Sequence, residues 1–134
     1  MSKNPVVHFE MPYTDGKRVS EFYQKAFGWN MIAFPGMGDY ITAETAASKD
    51  GRPAEVGAIN GGLYPQSSAP DSREPSVVVA VEDIAKAMQD VVAAGGKCSR
   101  IHLPMYRVWV YTRRFAILRV TASACYSQSR WLSF

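Results

Sequence analysis

Acidic residues run out early in this chain. No Asp or Glu follows Asp90, although the chain continues to Phe134. Beyond Lys97 stand six arginines (Arg100, Arg107, Arg113, Arg114, Arg119, Arg130) and no acid. Up to Lys97 there are 9 basic and 12 acidic residues, net −3, so the overall charge of +3 is made entirely by the tail. Cysteine is scarce as well. Cys98 and Cys125 are too few for a disulfide framework and are not spaced like zinc ligands. No apolar run approaches the ~20 residues that span a bilayer, so no membrane partner is expected. The opening Met1-Ser2-Lys3-Asn4-Pro5 lacks the apolar stretch of a signal peptide, and a cytoplasmic address is the expectation. GxGxxG, P-loop, HExxH and GxSxG patterns are missing, which leaves nucleotide-binding and serine-hydrolase readings without support.

What is present reads as one domain by size, 134 residues with room for one core. Val6 to Tyr13 begins with alternation and predicts a strand. His8, Glu10 and Pro12 share one face of it; Val7, Phe9 and Met11 share the other, the core face. Residues 16–28 predict a helix, with Val19, Phe22, Tyr23, Ala26 and Phe27 on one stripe, Thr14 or Asp15 as the cap and Gly28 as the stop. Strands are expected from Trp29 to Phe34, around Asp39 to Glu44, and from Gly57 to Tyr64, with a polar loop over Ala47 to Glu55. The order is β-α-β-β-β. Pro65 to Pro75 has linker chemistry. The pattern then restarts with a strand over Ser76 to Glu82 and an Asp83-capped helix whose Ile84, Met88, Val91 and Val92 form a stripe ended by Gly95-Gly96. The spacing suggests a tandem repeat of one small unit.

VHFEMP, the acid near the helix start, EFYQKAFGW, AINGGLYP and VVVAVEDI…AGGK together resemble the glyoxalase / bleomycin-resistance / extradiol-dioxygenase superfamily, the vicinal oxygen chelate proteins, over about residues 4–97. The resemblance implies an α+β fold. Two βαβββ modules, 4–66 and 74–134 of a single domain 1–134, would form a curved mixed sheet around a ligand cup. The second module's tail, 98–134, is atypical. Back-translated and read in a shifted frame, Met105 through Gln128 permits VPGVGLYASFRDTEGNRISMLQP, a family-like segment. We read residues from about Cys98 onward as an out-of-frame translation of an ordinary C-terminal half-module, which makes the arginines an accident of frame and argues against a nucleic-acid partner. The alternative is a genuine, divergent basic tail, on which a weaker nucleic-acid-binding reading would rest. The apolar stretches Val108–Tyr111 and Phe115–Leu118 are nonetheless expected to extend, as a hairpin around Thr112-Arg113-Arg114.

In metal-dependent members of the family, four ligands line the cup. His8 fills the first position. Ser76 stands at its equivalent in the second module, Asn60 where a carboxylate is often found, and the tail supplies no acid. Zn, Ni or Fe usually needs at least three protein ligands of the His, Glu, Asp or Cys type. His8 is the candidate metal ligand, and Glu10 either a second ligand or a general base. The alternative is that His8 and Glu10 hydrogen-bond with their neighbours inside a polar cup that holds no metal. Tyr13, Phe22, Tyr23, Phe27 and Trp29 are mostly core by spacing. Tyr40 and Tyr64 are the better pocket candidates, since their strands should line the cup, with core or rim packing as the alternative for each. Gly61-Gly62 either lets a ligand approach the backbone or relieves crowding between strands. The site residues expected are Glu10 as the catalytic candidate and His8, Tyr40, Asn60, Tyr64 and Ser76 around a small-molecule ligand. The functional expectation is small-molecule binding without a complete metal site, in a homodimer. The other expectation is a metal-dependent lyase or isomerase resembling lactoylglutathione lyase.

Overall fold

A computed structural model of the protein describes residues 3–34, 38–67, 73–96, 98–99, 116–121 and 132–133. The alternation at the start of the chain becomes strand β1, Val6–Tyr13. Helix α1, Gly16–Phe27, begins where the Asp15 carboxylate accepts from the Arg18 backbone N–H at 3.0 Å. It ends at Gly28, whose φ of 71° closes the last turn. Strands β2 (Asn30–Ala33), β3 (Ile41–Glu44), β4 (Ser48–Lys49), β5 (Arg52–Pro53) and β6 (Gly61–Pro65) follow.

The chain forms two compact units. One is His8–Pro75; the other joins the residues up to Val7 to those from Ser76 onward. In the first, the strand order is β2-β3-β6-β1. β6 lies parallel to β1 with Phe9 opposite Gly61, Glu10 opposite Gly62 and Met11 opposite Leu63. β3 runs antiparallel to β6, and β2 antiparallel to β3. This is a βαβββ module of α+β class, compatible with the glyoxalase-like fold. Its core is Ile41, Ala43 and Leu63, packed against Phe9, Met11, Tyr13, Val19, Tyr23, Trp29 and Met31. Leu63 is fully enclosed. The period of 2 in β1, β3 and β6 therefore sends Phe9, Met11, Ile41, Ala43 and Leu63 to the helix-covered side.

Three details differ from the sequence expectation. The polar stretch 47–55 holds the small hairpin β4–β5, turned by Asp50 and Gly51 with φ of 52° and 74°. Asp-Gly favours such a turn because both residues tolerate the left-handed region. The strand expected from Gly57 begins only at Gly61. Phe22 and Phe27 are not core: they are 56% and 62% exposed. α1 turns Val19 and Tyr23 toward the sheet, Tyr23 stacks on Trp29 at 4.7 Å, and the two phenylalanines pack on the outside of that stack.

The second unit opens as the first does. Strand β7, Ser76–Val81, leads to helix α2, Ile84–Ala93, capped by Asp83 on the Lys86 N–H at 3.0 Å. Pro5 at the chain start accepts from the Ala80 N–H at 3.0 Å. Short strand β8 (Cys98–Ser99), then β9 (Ala116–Thr121) and β10 (Leu132–Ser133), complete the order β7-β9-β10-β8. Here the repeat diverges. β7 pairs antiparallel with β9, Ser76 opposite Thr121, whereas β1 pairs parallel with β6. The extended stretch expected at Phe115–Leu118 is found from Ala116 onward; its proposed hairpin partner Val108–Tyr111 and the turn between them lie outside the described residues. No helix among the described residues is long and apolar enough to cross a membrane.

Candidate functional site

The polar face of β1 is where chemistry gathers. His8 and Glu10 alternate with Phe9, so when Phe9 turns into the core the other two project from the opposite face. Tyr40, just before β3, has the same parity as Thr42, and Thr42 is registered with Gly62 of β6. Gly62 is in turn registered with Glu10. Tyr40 thus starts from the β3 side and lies across β6 at Gly62 to reach β1. Its hydroxyl is 2.9 Å from His8 Nε2 and donates to Glu10 Oε1 at 3.4 Å.

The crossing explains both glycines. A Cβ on Gly62 would overlap the Tyr40 hydroxyl and ring, and one on Gly61 would overlap the Phe9 ring. Of the two roles open for this pair from sequence, the protein uses crowding relief: one glycine accommodates a core phenylalanine, the other a tyrosine on the opposite face.

Tyr40 and Glu10 are buried, 4% and 9% exposed, and His8 is half-buried. Burial pushes the His8 imidazole below its ordinary value, and the Glu10 carboxylate draws it back part of the way. The neutral ring is favoured. A tyrosine hydroxyl has one hydrogen, and a carboxylate only accepts. With the Tyr40 hydrogen on Glu10, valence assigns a hydrogen to His8 Nε2, which donates to the Tyr40 oxygen. His8, Tyr40 and Glu10 then form one directional chain, with Nδ1 as the acceptor of the ring. Such an array can orient a polar ligand group and hold or pass a proton.

The other expected site residues have different company. The Asn60 side-chain carbonyl accepts from the Thr45 and Ala46 backbone N–H groups at 2.8 and 3.2 Å, and its amide donates to Ser48 Oγ at 3.1 Å. Asn60 pins the approach to the β4–β5 hairpin. The Tyr64 hydroxyl donates to the Glu74 carbonyl at 2.8 Å. Ser76 is buried at the start of β7, in the other compact unit. His8 and Glu10 contribute two donors of metal-binding type, and among the described residues there is no group of three or more His, Cys, Asp or Glu that could hold a metal ion. That donor set does not fit a transition-metal site, which takes three or four protein ligands.

Sequence reasoning passed over Tyr13 as a functional residue. Its ring packs in the core, yet its hydroxyl leaves it and donates to the Asp39 carbonyl at 2.5 Å, next to Tyr40. A tyrosine at the end of an apolar face, where a polar tip can emerge, was the available signal.

Residues 6–46 match the family model described as bleomycin resistance protein-like N-terminal. Within the first module, this segment is similar to the bleomycin resistance protein-like N-terminal domain. This agrees with the glyoxalase / bleomycin-resistance superfamily resemblance. The bleomycin-resistance-like segment runs from β1 through β3 and contains His8, Glu10 and Tyr40, while Gly62 lies beyond it. A search of curated proteins found no match to the chain.

Proposed function

We propose that this chain binds a small molecule on the sheet face that presents His8, Tyr40 and Glu10, without a complete metal site. The supporting observation is the three-residue hydrogen-bond chain, placed by a tyrosine that crosses a glycine. A buried polar array on the face opposite the core is costly to maintain unless each group is satisfied. Small-molecule sites commonly combine a few such oriented polar groups with apolar walls. The reading takes the protein to be a cytoplasmic homodimer.

The test is a ligand screen by NMR with the His8 ring resonances as reporter, beginning with bleomycin because the matched family carries that name. Compounds that shift His8 saturably in the wild type and no longer bind His8→Ala support the reading. If every binder leaves His8 unmoved, the reading fails. The second reading is a metal-dependent lyase or isomerase. It draws on the neutral imidazole beside a carboxylate, since neutral imidazole is the ligating form. Stoichiometric Ni²⁺ or Zn²⁺ retained by the purified protein and lost in His8→Ala would replace the first reading with the second.

A further inference from the structure

We infer that Tyr13 is a positioning residue that sets the Tyr40 hydroxyl on His8 and Glu10. The peptide that precedes Tyr40 is unusual. Gly38 and Asp39 are both left-handed, with φ of 65° and 59°. For Asp39 this region is sparsely populated and needs support from its surroundings. Support comes from two sides. The Tyr13 hydroxyl donates to the Asp39 carbonyl at 2.5 Å, and the Tyr40 carbonyl accepts from the Phe34 N–H at 3.1 Å. The orientation of the Asp39–Tyr40 peptide fixes the direction in which the Tyr40 side chain leaves the backbone.

Tyr13 is well placed for this. Its ring belongs to the packing around Ile41, Ala43 and Leu63, and a Cβ at Gly16 would meet both the Tyr13 ring and Ile41 Cδ1. The core therefore anchors the ring, and the hydroxyl transmits that anchor to residue 39. One strand carries the whole arrangement. β1 bears His8 and Glu10, and its last residue holds the segment that delivers the third group. The tether makes the distance from Tyr40 to β1 depend on β1 itself, so the three polar groups move as a unit.

This inference concerns the same face as the proposed ligand site but rests on no ligand. Its test uses none, and its failure is distinguishable from failure of the binding reading. The readout is the exchange rate of the His8 Nε2 hydrogen with water, measured by NMR on the full chain, with the backbone amides of β1 as the internal control. Tyr40→Phe removes the acceptor and sets the unprotected rate. Tyr13→Phe keeps the ring and removes only the tether. The expected result is exchange at least ~10-fold faster than wild type, approaching the Tyr40→Phe rate, with β1 amides unchanged; loss of packing alone would instead speed both. An unchanged His8 rate in Tyr13→Phe overturns the inference. If Tyr13→Phe does not fold, Asp39→Gly decides. It keeps the tethered carbonyl and removes the side chain's conformational penalty, so His8 protection should persist, and a ~10-fold loss of protection there overturns the inference.

Discussion

Gly62→Ala isolates the tyrosine crossing. In an ordinary strand, alanine in place of glycine is worth about 0.5–1 kcal/mol in favour of the fold. At Gly62 the three atoms nearest the added Cβ all belong to Tyr40: the hydroxyl oxygen, Cζ and Cε1. Either the tyrosine swings away or the backbone yields. The first course loses the bond to the Glu10 carboxylate, about 1.5–3 kcal/mol for a charged acceptor, and the one to His8, about 1 kcal/mol. The second is overpacking, about 1–3 kcal/mol. Set against the alanine gain, the first course costs about 1.5–3.5 kcal/mol and the second about 0–2.5, so a net destabilisation of up to about 2.5 kcal/mol is expected. In a Tyr40→Leu background those three atoms are gone, and Gly62→Ala should be neutral or slightly stabilising. Urea unfolding of the four proteins, with linear extrapolation, gives the coupling directly. Distant sites add to within about 0.3–0.5 kcal/mol. A coupling no larger than that would refute the crossing, because the cost of the added methyl would then not depend on Tyr40.

The burial of His8 predicts a pH dependence of stability. Its pKa in the fold lies below the ordinary ~6.5, so between those values the unfolded chain binds more protons and stability rises with pH. The His8 contribution is complete above about pH 6.5, declines as pH falls to the folded value and is level below it. Urea midpoints measured across that range should fall less steeply with acid in His8→Gln than in wild type. Glu10→Gln removes the charge that raises the His8 pKa, so NMR titration of His8 should show a still lower value in that variant. Asp15→Ala removes the acceptor for the Arg18 N–H and should cost about 0.5–2 kcal/mol, read by thermal unfolding; Asp15→Asn, which can still cap, should recover most of it.

Much of the first module was legible because its signals are local. The alternation in Val6–Tyr13 separated His8 and Glu10 from Phe9 and Met11, and the fold keeps that division. Asp15, Gly28 and Asp83 end their helices as their chemistry dictates. Val7, placed by parity with the core, is 39% exposed: alternation assigns a face, and packing decides whether anything covers it. Phe22 and Phe27 failed for the same reason. A helical stripe wide enough to include them exceeds what one sheet face covers, so Tyr23 and Trp29 took the inner places. The Asp50-Gly51 turn was readable in the letters and was submerged in the polarity around it.

Composition and local pattern determined the strand–helix–strand order, the helix ends and the polar face of β1, since these follow from side-chain period and from hydrogen bonds within a few residues. Only the tertiary structure decided that Tyr40 meets His8 and Glu10 across Gly62, that Asn60 serves the neighbouring hairpin, and that Tyr13 reaches Asp39. Those contacts depend on strand order and register. A shift of one residue in β3 or β6 would turn Tyr40 or Gly62 to the other face, and no segment read alone contains that information.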